Sequence, residues 1–171
     1  MPKRVYNNVE DYRLIDGKTV VEDVTKVGLP TIKHPTTTID VAGMATAVDM
    51  PNTPHIEAMD YTIYHNNGSN CALLPTPGKH KQEFRTVRQV YDVASATIKH
   101  VSVKYRLVGI HVETQKGDAE TGSPLGSTEK YSCLRYEEEV EGKITTLIDA
   151  MAGIIKYNGK TYSDEVKNLL K

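Results

Sequence analysis

The chain has 171 residues and carries 21 Lys plus Arg against 22 Asp plus Glu, for a net charge of −1. That length suits one domain burying roughly two thirds of its unfolded surface without a metal or disulfide staple, and the balance excludes a global electrostatic drive toward nucleic acid or an anionic membrane. No apolar run approaches the ~18 residues of a membrane span, and the amino terminus "MPKRVYNNVEDYRL" has no apolar signal core, so the expectation is a chain made and kept in the cytosol with no stable membrane association.

In chain order, "DYRLIDGKTVVEDV" alternates around Asp16-Gly17, a dipeptide suited to a tight turn with positive φ, and predicts a first hairpin. "GLPTIKHPTTTID" (28–40) is rich in threonine, but Pro30 and Pro35 cannot donate to a ladder, so its strand is expected to be interrupted or at an edge. "HIEAMDYTIYH" predicts a strand with Met59, Tyr61 and Ile63 on one side. After the turn "NNGSN", which also matches a glycosylation acceptor but reads as turn plus cap, "SNCALLP" predicts a short helix capped by Ser69 and stopped by Pro75.

"QEFRTVRQVYDVASATIKHVSVKYRLVGIHVET" is too β-branched for a helix and predicts two strands divided near Asp92 to Ser95. In the second, Val101, Val103, Tyr105 and Leu107 face one way and His100, Ser102, Lys104 and Arg106 the other. "QKGDAETGSPLGSTEK" reads as a flexible loop. "KYSCLRYEEEVEGKITTLIDAMAGIIKYNGKTY" predicts two strands joined at Glu141-Gly142 and ended at Asn158-Gly159, and "SDEVKNLLK" begins with an N-cap serine before a last helical turn. The total, about seven antiparallel strands with one or two short helices, predicts a β-sandwich or flattened barrel. Ten tyrosines against one phenylalanine and no tryptophan suit strands whose rings have a dry side and a hydroxyl at a wet boundary.

Chemistry finds little foothold. The six histidines have no HxxxH-like pairing, and Cys71 and Cys133 have no paired spacing, so the thiols read as reduced and buried and no metal or cofactor is expected. Gly117, Gly122 and Gly126 fit no phosphate-binding fingerprint. No serine sits in a GxSxG elbow, and Glu137-Glu138-Glu139 is spread over both faces of a strand rather than paired for acid and base work. The basic group from Lys79 to Arg88 lacks interleaved rings and reads as a solvated strand start. If the strand of Lys104 and Arg106 pairs antiparallel with that of Arg135, Glu137 and Glu139, opposite charges meet across the ladder; in a monomer that face is the solvent side.

The stretch "IDVAGMATAVDMPNT" (39–53) has neither strand alternation nor a helical stripe. "GLPTI", "AGMATAVDM", "HIEAMDYTIY" and "YSCLRYEEEVEGKITTLIDAMAGIIKYNGK" together resemble, in order, the major tail tube protein of contractile-tailed phages or of related phage-tail-like bacteriocins. In that family a strand into "LP", a small-residue "AGM" loop, and a final hairpin closed by "DG" or "EG" and then "NG" recur. The likeness runs from about Tyr12 to Gly159; "SNCALLPTPG" is shorter and more proline-rich than the helix usual there.

The resemblance implies a non-enzymatic structural protein of a single tail-tube domain, with an N-terminal extension (about 1–8), an inter-subunit loop (40–54), a flexible loop (114–128) and a C-terminal tail (160–171). It implies sixfold rings stacked into a tube inside a contractile sheath, with self, sheath protein, tape measure protein and a baseplate initiator as partners. DNA is then a transient lumen cargo, and the protein is made in a host bacterium and built into a virion tail or tail-like particle. Ala42, Gly43, Met44, Ala45, Ala47, Val48 and Met50 become candidate contacts between subunits and rings, since small residues allow close approach and methionines fill irregular gaps. His100, Ser102, Lys104, Arg106, Arg135, Glu137 and Glu139 become candidate lumen residues, although the wall facing a sheath is also polar. The competing readings are a small monomeric β-barrel that binds a ligand or nucleic acid, and an enzyme whose site no motif reveals.

Overall fold

The computed structural model describes residues 4–66 and 73–170. Its strands are β1 (Arg4–Asp16), β2 (Thr19–Val21), β3 (Val24–Gly28), β4 (Thr36–Ile39), β5 (Val48–Pro51), β6 (Met59–His65), β7 (Lys79–Asp92), β8 (Thr97–Gln115), β9 (Ser127–Val140), β10 (Lys143–Asp149), β11 (Ile154–Tyr157) and β12 (Lys160–Thr161), followed by helix α1 (Ser163–Leu169). All but β4 and β5 belong to one antiparallel sheet of order β12-β11-β10-β9-β8-β7-β1-β2, with β3-β6 branching from β9. The fold is mainly β and sandwich-like, as the sequence predicts, but the described strands do not close into a barrel. The count exceeds seven because long alternating runs are broken by turns.

Turns that need positive φ fall on glycine or on residues that tolerate it. In the first hairpin Asp16 pairs with Thr19, so the central pair is Gly17-Lys18 rather than Asp16-Gly17, with positive φ at Gly17. Glu141-Gly142 and Asn158-Gly159 each take positive φ at both residues. A further turn, not foreseen, interrupts the expected last strand at 150–153: Asp149 Oδ1 accepts the Met151 and Ala152 amides at 3.1 and 2.9 Å, and Gly153 sits at φ 61. This is an Asx-type turn, made by a side chain rather than by a Gly or Pro signal.

The branch at β9 makes the two layers. Its first half pairs with β6 (Met59↔Cys133 to His65↔Ser127) and its second half, on the same edge, with β10 (Glu137↔Leu147, Arg135↔Asp149). A register shift at Leu134 separates the two. That lets β6 fold over the sheet, and its inner residues Met59, Tyr61 and Ile63 close a core with Leu14, Phe84, Val103, Tyr105, Leu107 and Tyr131. Tyr61 stacks on Tyr131 with ring centroids 4.9 Å apart and donates to Gln82 Oε1 at 2.7 Å, so a buried phenol keeps its partner. Gly109 makes room for it: a Cβ there would lie 2.6 Å from the Tyr61 hydroxyl and 3.0 Å from the Ser132 carbonyl.

Other expectations need revision. Residues 4–8, expected as an extension, continue β1 along β7. The segment expected as a flexible loop over 114–128 lies between β8 and β9 only from 116 to 126. Ser163 is not an N-cap: Tyr162 holds that position without a side-chain bond, and the Ser163 hydroxyl accepts the Ile155 amide. The Ser69-capped helix and Cys71 fall on residues 67–72, outside the described residues, and 73–75 form a turn.

Beyond the sandwich, β1, β7 and β8 continue as a three-stranded ribbon. β2 covers only residues 14–16 of β1, and β9 reaches β8 only from Val103 onward. Among the described residues, no strand pairs with the outer edge of β1 before Leu14 or with 97–101 of β8 on the β9 side, while the Ser102 carbonyl accepts the Glu141 amide at 3.0 Å.

Candidate assembly surfaces

The segment after β3 leaves the core as an arm. Leu29 and Ile32 still pack against the core. The stem is then tied by the Glu57 amide to the Lys33 carbonyl (2.8 Å), Lys33 Nζ to Glu57 (3.1 Å), His34 Nδ1 to the His55 carbonyl (2.7 Å) and the Asn52 amide to the Pro35 carbonyl (2.8 Å). β4 and β5 pair from Thr36↔Pro51 to Ile39↔Val48, with Thr38 Oγ1 donating to Asp49 at 2.6 Å. Pro51 ends the ladder as a residue without a donor. The stretch read as a loop is therefore half hairpin, turning through Gly43 at φ 96.

Every residue from 36 to 53 is exposed, which includes Ala42, Gly43, Met44, Ala45, Ala47, Val48 and Met50. Ile39, Val41, Met44, Val48 and Met50 all present large apolar side chains to solvent, and among the described residues β4-β5 joins no other strand. An isolated two-stranded hairpin is marginal in water, and clustered exposed apolar residues mark interaction surfaces.

On the outer face of the large sheet the registers Lys104↔Glu139, Arg106↔Glu137 and Glu83↔Arg106 set opposite charges across from one another. Lys104 donates to Glu139 at 3.1 Å, and Arg106 donates to Glu137 and, at 2.7 Å, to Glu139. Arg135 completes the pattern with Glu137 at 3.0 Å and Asp149 at 3.6 Å. Hydrogen bonds from Lys104 and then Arg106 hold the Glu139 carboxyl below its usual range. Burial pulls the Arg106 guanidinium down, but bonds to Glu137 and Glu139 outweigh it and leave it raised. Glu137 is buried beneath the two arginines. The face also holds a groove of roughly 520 Å³ with Lys79, Lys81 and Asp149 in its walls.

Of the seven polar residues singled out in the sequence, the structure brings Lys104, Arg106, Arg135, Glu137 and Glu139 into this network. His100 and Ser102 share the face but lie toward the ribbon, exposed and opposite Gln89 and Val87. Glu83 and Asp149 went unforeseen; alternation along β7 marks Glu83 as outward-facing, whereas Asp149 needs the β9-β10 register. Cys133 is buried, its thiol donates to the Arg135 carbonyl, and desolvation pushes it up to about 12. Among the described residues no group of three or more His, Cys, Asp and Glu side chains could hold a metal ion, and no helix is long and apolar enough to cross a membrane.

A search for similar curated proteins returned no match. The family model described as phage tail tube protein FII matches residues 9–170, from within β1 to the end of α1. With nearly the whole chain covered, and a mainly β, sandwich-like fold beneath it, the chain belongs to the phage tail tube protein FII family and is a structural component of the virion tail tube.

Proposed function

We propose that copies of this chain close into hexameric rings that stack into the inner tube of a contractile tail or tail-like particle, with the arm as the contact between subunits and rings. The observation that carries this reading is the arm: a hairpin exposed over its whole length, apolar at Ile39, Val41, Met44, Val48 and Met50, on a protein whose family forms a tube. A sister copy removes that surface from water at ~25 cal/mol per Å². The bare ribbon edges support it. Pairing the β1 edge of one copy with the 97–101 edge of the next is a head-to-tail contact that closes into a ring, and it satisfies backbone groups otherwise left to solvent.

In this arrangement the charge ladder of β7 to β10 lines the channel, and His100, Ser102, Lys104, Arg106, Arg135, Glu137 and Glu139 face the lumen. The pairing of cations with carboxylates leaves few free positive groups to grip phosphate, so DNA or another cargo passes without salt-dependent retention. A contractile sheath outside, a tape measure protein within and a baseplate initiator supply length control and drive. Electron microscopy of the assembled protein tests the reading: end-on class averages have sixfold symmetry and an open lumen, whereas a monomer of ~19 kDa at every concentration and with every tail initiator removes it.

A further inference from the structure

The tube reading makes no use of a buried cluster at the root of the 116–126 loop. Glu129, on β9, is 1% exposed. Its Oε2 is 2.8 Å from His111 Nε2 on β8 and accepts the Thr114 hydroxyl; its Oε1 is 3.7 Å from His65 Nε2 on β6. His65 is itself buried, with Ser127 Oγ 3.0 Å from its Nδ1. Two imidazoles from two different strands thus address the two oxygens of one carboxylate that water scarcely reaches.

The cluster sits where the loop begins and ends. Thr114 pairs with Glu129 and His65 with Ser127, and the Gly126 amide donates to the Asn66 carbonyl at 3.1 Å. The backbone is pinched there, since a Cβ on Gly117 would lie 1.6 Å from the Gly126 carbonyl oxygen. Other charged groups lie near the cluster. On β9, Lys130 reaches away to Asp60 at 2.6 Å, with Glu113 of β8 near it. Beside β3, Asp23 accepts the Asn66 amide at its carbonyl, and one of its carboxylate oxygens is buried without a hydrogen bond among the described residues. Lys26 lies over the Tyr64 ring. Tyr131 sets the His111 ring edge-on at 5.4 Å and separates this cluster from His80, which bonds Asp16.

We infer that His65, Glu129 and His111 form a proton-sensitive latch that fastens the root of the 116–126 loop at neutral pH and releases it in mild acid. One carboxylate balances one imidazolium. A second proton places two cations beside one anion in a site almost closed to water, where an uncompensated charge is costly. Histidine is the side-chain type that takes up a proton in mild acid, so a second proton on this cluster is the event that releases the root. His111, the more exposed of the two rings, is where water enters.

Amide hydrogen exchange on the full chain tests this, corrected for the intrinsic pH dependence of exchange. At Gly126 and Thr128 protection falls about tenfold or more between about pH 7.5 and pH 5, while amides of β7 facing β8 keep theirs. In H65Q/H111Q, or in H111Q alone if the double variant does not fold, that selective loss is absent. E129Q, which keeps the shape and removes the anion, moves the release toward neutral pH. Protection at the root that is independent of pH in the wild type, or a loss that persists unchanged in the histidine variants, overturns the latch. Neither result depends on whether tubes form.

Discussion

The core around Tyr61 and the arm around Met44 use similar apolar residues in opposite ways. In the core, each large side chain has a neighbour from the same chain: Tyr61 stacks on Tyr131, bonds Gln82 and lies against the backbone of Gly109. In the arm, Ile39, Val41, Met44, Val48 and Met50 are all exposed, and the hairpin that carries them joins no other strand among the described residues. A chain that needed its apolar residues only for folding would bury both sets. Its folding stability therefore resides in one region, and the other is available to neighbours.

The comparison breaks most visibly at Gly109. Gly109→Ala places a methyl against a ring that cannot turn away, because Tyr61 is fully buried and stacked. Overpacking of this kind costs about 1–3 kcal/mol, read as a lower Tm and an unchanged denaturant slope. The same core is sensitive to alkali. Burial raises the Cys133 thiol to about 12 and raises the Tyr61 and Tyr136 phenols as well. From about pH 9 upward the unfolded chain sheds these protons while the folded chain holds them, so stability falls through that window. Chemical denaturation measured from pH 8 to 11 shows a progressive loss, reduced by Cys133→Ala.

The charge ladder occupies the ground between the two regions. Arg106→Ala leaves the buried Glu137 with Arg135 alone and costs about 1 kcal/mol, tempered by the partial exposure of Arg106. A double-mutant cycle on Lys104 and Glu139 returns about 0.2–1 kcal/mol, and less at high salt.

Much of this division is legible in the sequence, for physical reasons that differ by element. Glu141-Gly142 and Asn158-Gly159 announce their turns because few residues accept positive φ. The alternation of β8 separates Val101, Val103, Tyr105 and Leu107 from Lys104 and Arg106, and the antiparallel neighbour then brings Glu137 and Glu139 opposite. The arm stands out because "VAGMATAV" fits neither strand nor helix, although its β4-β5 stem does not show there. What stays hidden depends on distant pairing. The bulge at Leu134, which lets β6 and β10 share one edge of β9, has no local residue signal. The 150–153 turn is folded by the Asp149 carboxylate rather than by a turn dipeptide. His65, His111 and Glu129 come from three strands and meet only when the sandwich closes.

The smallest effect on folding and the largest on assembly are expected in one variant. Met44→Asp with Val48→Asp alters two exposed side chains that touch no core, so stability changes by less than about 0.5 kcal/mol, while two charges are placed where a sister copy docks. Negative-stain microscopy of tube growth, run beside a thermal melt of the same samples, tests the central claim most directly. The account predicts a wild-type melt with tube growth abolished; tubes of normal length and abundance from the double variant contradict it.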